Sequence, residues 1–380
     1  MAHEHGVVRL ACCSLLNIAQ VKCSMERRLQ QGRHGWRTLR RIGRVTLVLL
    51  LVLGTAGAVW NVLAIRHYRK AFPPPGKLFT VNGNQMHLYC SGAGSPTVVL
   101  ESGLGDDFLT WGKVQPALSL ATRVCSYDRA GLGWSEPQSG PRDATPIASQ
   151  LHELLQQAQV KGPLLLMGHS AGGIYIRAYA SRYPHEVAGL VFVDASSPTQ
   201  DSVMPANLRA LDERGGLQVS LMKALMWLGV DRVLGVCDQV PPGFEAQAGL
   251  LKADACIPAQ VDAYQGEQAD WSASLLETAQ TGPYGDLPIL VFSRDPNASL
   301  PSQLPAPVTA AELRQGMLIW DGLQQQLAQL STHGQRIIAK GSGHYIQLDR
   351  PDVLNRAVAI FIQQVRKGSV LVSDGRVQVE

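Results

Sequence analysis

The chain has 380 residues, of which 46% are hydrophobic and 17% charged. That composition excludes a disordered protein and leaves room for one large α/β domain or two ordinary ones. The formal net charge of +4 is concentrated before residue 78, so nucleic acid is not an expected partner of the body of the chain.

The first 24 residues show neither helical nor strand periodicity, and Met25 opens a basic lead-in that makes it an alternative start to Met1. His3-Glu4-His5 and Cys12-Cys13 have no second cluster at ligand spacing, so no metal is expected. Residues 1–44 therefore read as a basic tail. Val45 to Ile65 is an uncharged run of 21 residues whose polar members are Thr46, Thr55 and Asn61, long enough to cross a bilayer as a helix. A cleaved signal peptide is the alternative, with Arg40-Arg41-Ile42-Gly43-Arg44 as its basic region and Ala56-Gly57-Ala58 as its cleavage site. Apolar character continuing past Ala58 favours a transmembrane helix over 45–65. Arg27, Arg28, Arg33, Arg37, Arg40, Arg41 and Arg44 precede the run, whereas Arg66, Arg69, Lys70 and Lys77 follow it. This bias predicts a cytoplasmic N-terminus and a single-pass protein with its catalytic domain on the extracytoplasmic side; cleavage would make that domain secreted.

Residues 66–76 form a linker stiffened by Phe72-Pro73-Pro74-Pro75-Gly76. Beyond it, strands are expected near Lys77–Val81, Gln85–Cys90, Thr97–Glu101, Arg123–Tyr127, Pro163–Met167, Val187–Asp194, Leu287–Ser293 and Gln335–Lys340. Two hairpin-like strands followed by alternation with helices predict an α/β fold, a mostly parallel eight-stranded sheet flanked by helices on both faces. Its core comprises 77–196 and 286–368. Residues 197–285 break the alternation and read as a helical cap inserted between strands six and seven. In it, Leu221, Leu225, Met226 and Leu228 either pack on the core or roof an apolar pocket. Residues 369–380 read as a solvated tail.

Gly168-His169-Ser170-Ala171-Gly172 follows the apolar run Pro163–Met167 and precedes the helix-like Ile174–Ala180. A strand turning sharply into a helix at a serine flanked by small residues is a nucleophile elbow, where side chains two positions away would collide with facing elements. A serine hydroxyl needs a base, and the base needs an acid to hold its tautomer. His344, in Gly341-Ser342-Gly343-His344 after the last strand, is the candidate base. Asp295, after the strand Leu287–Ser293, is the candidate acid and completes the chain order Ser170, Asp295, His344. Asp194, which ends another strand, competes with it and would otherwise be a loop-capping carboxylate. The backbone N–H groups of Ala171 and of Leu104, in Glu101-Ser102-Gly103-Leu104-Gly105, are the candidate oxyanion donors. Phe108 stands where a dinucleotide-binding turn would need its third glycine, so that reading fails. Gly103, His169, Trp134 and Trp227 are candidate substrate contacts, although both tryptophans could equally be packing. The chemistry requires no cofactor.

Pro73–Gly76, His87-Leu88-Tyr89-Cys90, Val98–Gly105, Tyr127-Asp128-Arg129-Ala130-Gly131-Leu132-Gly133-Trp134-Ser135, Gly168–Gly173 and Gly343-His344 together resemble the α/β-hydrolase superfamily over roughly residues 72–366. Within it they look like a group of bacterial-type membrane-tethered or exported hydrolases. The resemblance implies a serine hydrolase acting on carboxylic esters, less readily amides, and the apolar lid residues favour a small-molecule substrate with medium, hydrophobic acyl or alcohol groups. It leaves the substrate open, since such relatives include esterases, lipases, peptidases, perhydrolases and carbon–carbon bond hydrolases. Relatives that open epoxides or cleave halides carry Asp where Ser170 stands, which disfavours those chemistries. A non-catalytic ligand-binding or receptor module on the same fold is the alternative, and its sign would be a missing triad member. The resemblance also places Asp128 to Ser135 beside the site floor, with Asp128 and Arg129 supporting loops through mutual hydrogen bonds. It sets the second and fourth strands side by side, which brings Cys90 and Cys125 within disulfide reach. Cys237 and Cys256 share the cap. Whether either pair is bridged stays open; a bridge would require an oxidising compartment.

Overall fold

A computed structural model describes residues 5–301, 303–368 and 377–379, with side chains at 36, 39–210, 218–301 and 303–368. The chain divides into two compact units, one ending at Trp60 and the other starting at Asn61. Helix α1 spans His5–Ala71, so the first residues are helical where no periodicity is expected. Residues 7–31 contain neither Gly nor Pro, and nothing in them breaks helical hydrogen bonding. The side chains of the His3 to Cys13 candidates lie outside the described set. Within Leu39–Ala71 an 18-residue window reaches a mean hydropathy of 2.2, making this the one helix among the described residues long and apolar enough to cross a membrane.

The second unit is built on one sheet. Its strands are β1 (Lys77–Val81), β2 (Asn84–Ser91), β3 (Thr97–Glu101), β4 (Val124–Tyr127), β5 (Leu164–His169), β6 (Val187–Val193), β7 (Ile289–Arg294), β8 (Gly334–Ala339) and β9 (Val377–Val379). They lie in the order β1-β2-β4-β3-β5-β6-β7-β8-β9. The β1–β2 and β2–β4 pairs are antiparallel and the others parallel. The fold is thus α/β with a mostly parallel sheet, as the sequence predicts. The ninth strand corrects the solvated tail: Val377–Val379 extends the sheet beside β8, while 369–376 and 380 lie outside the described residues. Three residues are too short a run to show alternation.

β3 and β5 are buried at every position, because helices cover both faces of a parallel sheet and strands there need no polar side. Alternate residues serve opposite faces. Val99, Leu164, Leu166, Leu190 and Phe192 pack with α2 (Ala144–Gln157) and α3 (Gly172–Arg182). Val98, Leu100, Leu165, Met167 and Val191 pack on the other face with residues of the C-terminal helix Pro351–Lys367. Cys90 stands opposite Cys125 in the β2–β4 register, and the two form a disulfide.

Between β6 and β7 run several helices, including α4 (Ala206–Trp227), α5 (Pro258–Ala269) and α6 (Trp271–Thr278). A Cys237–Cys256 disulfide closes a loop within this insertion. Leu221, Leu225 and Leu228 are exposed rather than packed on the core or roofing a pocket, as is Trp227, while Met226 is half-buried. Helix α7 (Ala310–Ala328) follows β7 and starts with a capping box, Thr309 Oγ1 accepting from Glu312 N while Glu312 accepts from Thr309 N.

Candidate active site

The parallel strands end along one edge of the sheet, and there the loops after β3, β5, β6, β7 and β8 converge. Ser170 follows β5 with φ at +52°, a left-handed conformation that a serine adopts only where surroundings impose it. Those surroundings are tight. A Cβ at Gly168 would stand 2.5 Å from the Gly172 carbonyl, and one at Gly172 would stand 2.5 Å from Glu101 O. Glycine at both positions lets β3, β5 and α3 approach closely enough to push the serine into the cleft.

Ser170 Oγ lies 2.9 Å from His344 Nε2, and His344 Nδ1 lies 2.6 Å from Asp194 Oδ2. The structure therefore brings together Ser170, His344 and Asp194, and it does not bring in Asp295. Asp295 accepts from Gly341 N at 3.0 Å and Asn297 N at 2.9 Å. It braces the loop that carries His344, so its placement as the imidazole's partner is corrected. The physical reason is position. β7 extends through Arg294, so the side chain at the sheet edge is an arginine, and Asp295 falls beyond it.

Asp194 also has positive φ, at +43°, and is fully buried. Its carboxylate accepts from Arg294 N at 3.0 Å, Arg294 Nε at 2.6 Å, Trp320 Nε1 at 2.9 Å and His344 Nδ1. Burial works against the charge, but Arg294 and then His344 outweigh it and hold the pKa down to about 2. An ionised Asp194 accepts only, so Nδ1 carries its proton and Nε2 is left to accept from Ser170. Arg294 NH2 approaches Nδ1 to 3.0 Å; with Nδ1 donating to Asp194 this is a close approach between two donors.

Leu104 and Ala171 line the same cavity of about 420 Å3 as Ser170. Among the described residues neither backbone N–H donates to a protein acceptor. The other lining residues include Gln200, Tyr264, Gln268, Trp271, Arg294 and Trp320. Trp134 and Trp227 are not among them: Trp134 is buried against His87 and Phe108, and Trp227 is exposed on the insertion. His169 is likewise no substrate contact, being fully buried with Nε2 donating to His344 O at 3.0 Å. Burial, reinforced by His344, lowers its pKa to about 3 and keeps it neutral. Gly103 backs onto the site, where a Cβ would meet Asp106 at 2.8 Å and Ser170 Cβ at 3.4 Å.

A second charged network lies on the β3 side. Arg129 pairs with Glu101 at 2.8 Å and with Glu267 of α5 at 2.7 Å, and it donates to Ser102 O and Gly103 O. Gly105 N donates to Glu267 at 3.0 Å. The loop carrying Leu104 is thus held from both ends. Asp128 instead accepts from Phe108 N and Trp134 N and meets His87 Nδ1 at 2.8 Å. Asp128 and Arg129 do support loops, but their partners are not each other.

Residues 96–218 match the family model described as the alpha/beta hydrolase fold. An uncharacterized protein of Schizosaccharomyces pombe is 29% identical over 350 residues, covering 82% of this chain and 60% of its own length; the chain thus spans about three fifths of that relative. Among solved structures, an ancestral haloalkane dehalogenase superposes over 77% of this chain and 99% of its own, with a TM-score of 0.57 and 18% identity. The enol-lactonase from Burkholderia xenovorans LB400 superposes over 76% of this chain and 100% of its own, with a TM-score of 0.51 and 22% identity. At such identities the structural likeness concerns the fold.

Proposed function

The chain belongs to the α/β-hydrolase superfamily, and from that premise we propose that its hydrolytic function is cleavage of carboxylic esters, less readily amides, through an acyl-enzyme on Ser170. The observation that carries this reading is the continuous chain of contacts from Ser170 Oγ to His344 Nε2 and from His344 Nδ1 to Asp194. His344 takes the Oγ proton as Oγ bonds to the carbonyl carbon, and the carbonyl π pair moves onto oxygen. The Leu104 and Ala171 N–H groups receive that oxyanion. Collapse expels the alcohol, which takes its proton from His344 Nε2, and water then repeats the sequence on the acyl-enzyme. Asp194 holds the tautomer and balances the imidazolium charge throughout.

Of the two structural neighbours, only the lactonase has chemistry that suits a serine. Displacement of halide by Ser170 would leave an ether, with no carbonyl through which water could release it. A fluorophosphonate probe should label the wild-type protein at Ser170 and leave Ser170→Ala unlabelled. Equal labelling of the two, or none of the wild type, overturns the assignment.

In the same reading the apolar part of α1 anchors the protein, with the N-terminus in the cytoplasm and the hydrolase on the extracytoplasmic side. The arginine bias before residue 45 and the two disulfides support this placement.

A further inference from the structure

A second cavity lies beside the one at Ser170. Gln200, Arg294 and Trp320 line both, and the second is a compartment of about 190 Å3. Its apolar walls are Met204 and Leu208 on one side and Leu313 and Met317 on the other, with Asp201 and Arg209 also on its lining. Leu313, Gly316, Met317 and Trp320 recur at helical spacing, so one face of α7 supplies that wall. At Gly316 an added Cβ would stand 2.4 Å from Leu208 Cδ1; the glycine sets how closely the two walls approach.

We infer that this compartment is a leaving-group subsite and that the substrate is the ester of an apolar alcohol. The inference rests on the serine-hydrolase reading and deepens it. The alcohol oxygen must take its proton from His344 Nε2, so the alcohol departs on the imidazole's side of Ser170. The residues shared by the two compartments flank that imidazole: the Trp320 ring lies edge-on with its centroid 6.0 Å away, and Arg294 NH2 lies 3.0 Å from Nδ1. Leu104 and Ala171, where the oxyanion would sit, line the first cavity and not the second. At about 30 Å3 per water-sized group, the volume holds roughly six non-hydrogen atoms. Methionine and leucine walls accept a flexible alkyl chain.

The test uses the full chain in detergent micelles and two ester series, acetates of ethanol to octanol and ethyl esters of acetic to octanoic acid. Each buried methylene is worth about fourfold, so hexyl acetate should exceed ethyl acetate in kcat/KM by at least roughly tenfold. Met317→Trp, which fills the compartment, should reduce that ratio by about tenfold while leaving ethyl acetate turnover and fluorophosphonate labelling within about twofold. Met204→Trp repeats the test from the facing wall should Met317→Trp lose labelling. A hexyl-to-ethyl ratio unchanged in both variants overturns the subsite. A loss confined to the acyl series overturns its assignment to the alcohol. Absence of wild-type labelling would instead mark failure of the serine-hydrolase reading itself.

Discussion

Two arginines flank Ser170, Arg129 buried and Arg294 half-buried, and they differ in how many carboxylates each one faces. On the β6–β8 side, Arg294 faces a single carboxylate, Asp194, which also accepts from Trp320 and His344. On the β3 side, Arg129 is shared by two carboxylates, Glu101 and Glu267. All three acids are almost fully buried. Yet Asp194 is held down to about 2, whereas burial pushes Glu101 up to about 7 despite Arg129 and the Tyr127 hydroxyl. Burial is the main cause of the rise at Glu101, and the charge of Glu267 on the same arginine adds to it, whereas Asp194 has Arg294 and His344 to itself. The first arrangement suits a group that must stay ionised beside a base. The second suits a scaffold, and here it clamps the loop that carries Leu104.

Removing the charge on the first side should produce the largest effect. Asp194→Asn keeps the shape but presents an amide to Nδ1, so the tautomer that leaves Nε2 free for Ser170 is no longer enforced, and Arg294 loses its counter-ion. Turnover of a good ester substrate should fall by roughly 10^3–10^4-fold, with KM changing far less. Steady-state kinetics on the purified variant, checked for folding by circular dichroism, measures this. A loss below about tenfold would remove Asp194 from the relay.

Neutralising the second side should act on stability and its pH dependence. Glu101 has a folded pKa of about 7, above the roughly 4.3 of an unfolded glutamate. Between those values the folded state binds the extra proton, so its contribution to stability is complete below about pH 4 and is lost as pH rises toward 7. The whole effect is on the order of 3 kcal/mol. Glu101→Gln resembles the protonated form at every pH and should flatten the pH dependence of the urea midpoint between pH 4 and 8. An unchanged slope would mean that Glu101 titrates as it does in the unfolded chain.

How much of this was legible in the sequence follows from where each signal resides. Ser170 and His344 are carried by local patterns, a glycine-flanked serine after an apolar strand and a histidine in a glycine-rich loop after the last one. The strand positions are legible for the same reason, since buried parallel strands read as short apolar runs. Asp194 had a local signal too: it ends Leu190-Val191-Phe192-Val193-Asp194, a carboxylate directly after four apolar residues, whereas Asp295 sits in the polar stretch Ser293–Ser299. A charge at the end of a buried strand must find partners, and that consideration outweighs chain order, which both aspartates satisfy. The rest is not local. Glu267 and Trp320 reach the site from α5 and α7, and no spacing in the chain announces which helix face will meet Arg129 or Asp194. Trp134 and Trp227 show the converse error, in which aromatic identity stands in for position.

The smallest expected effect concerns Asp295, the neighbour in sequence of Arg294. It is half-exposed, and its pKa is lowered by backbone hydrogen bonds from Gly341 and Asn297. Its charge is therefore screened from the Arg294–Asp194 pair by solvent, and what it contributes to the site is the hold on Gly341 N, three residues before His344. Asp295→Asn keeps an oxygen acceptor for that N–H, so ester turnover should fall by less than about fivefold and the acid limb of the pH profile should stay in place. Asp295→Ala, which removes the acceptor, should cost somewhat more through a looser His344 loop. If Asp295→Asn instead matched the loss seen in Asp194→Asn, the charge state of the first side would depend on both aspartates, and Arg294 would have to be regarded as shared in the way Arg129 is.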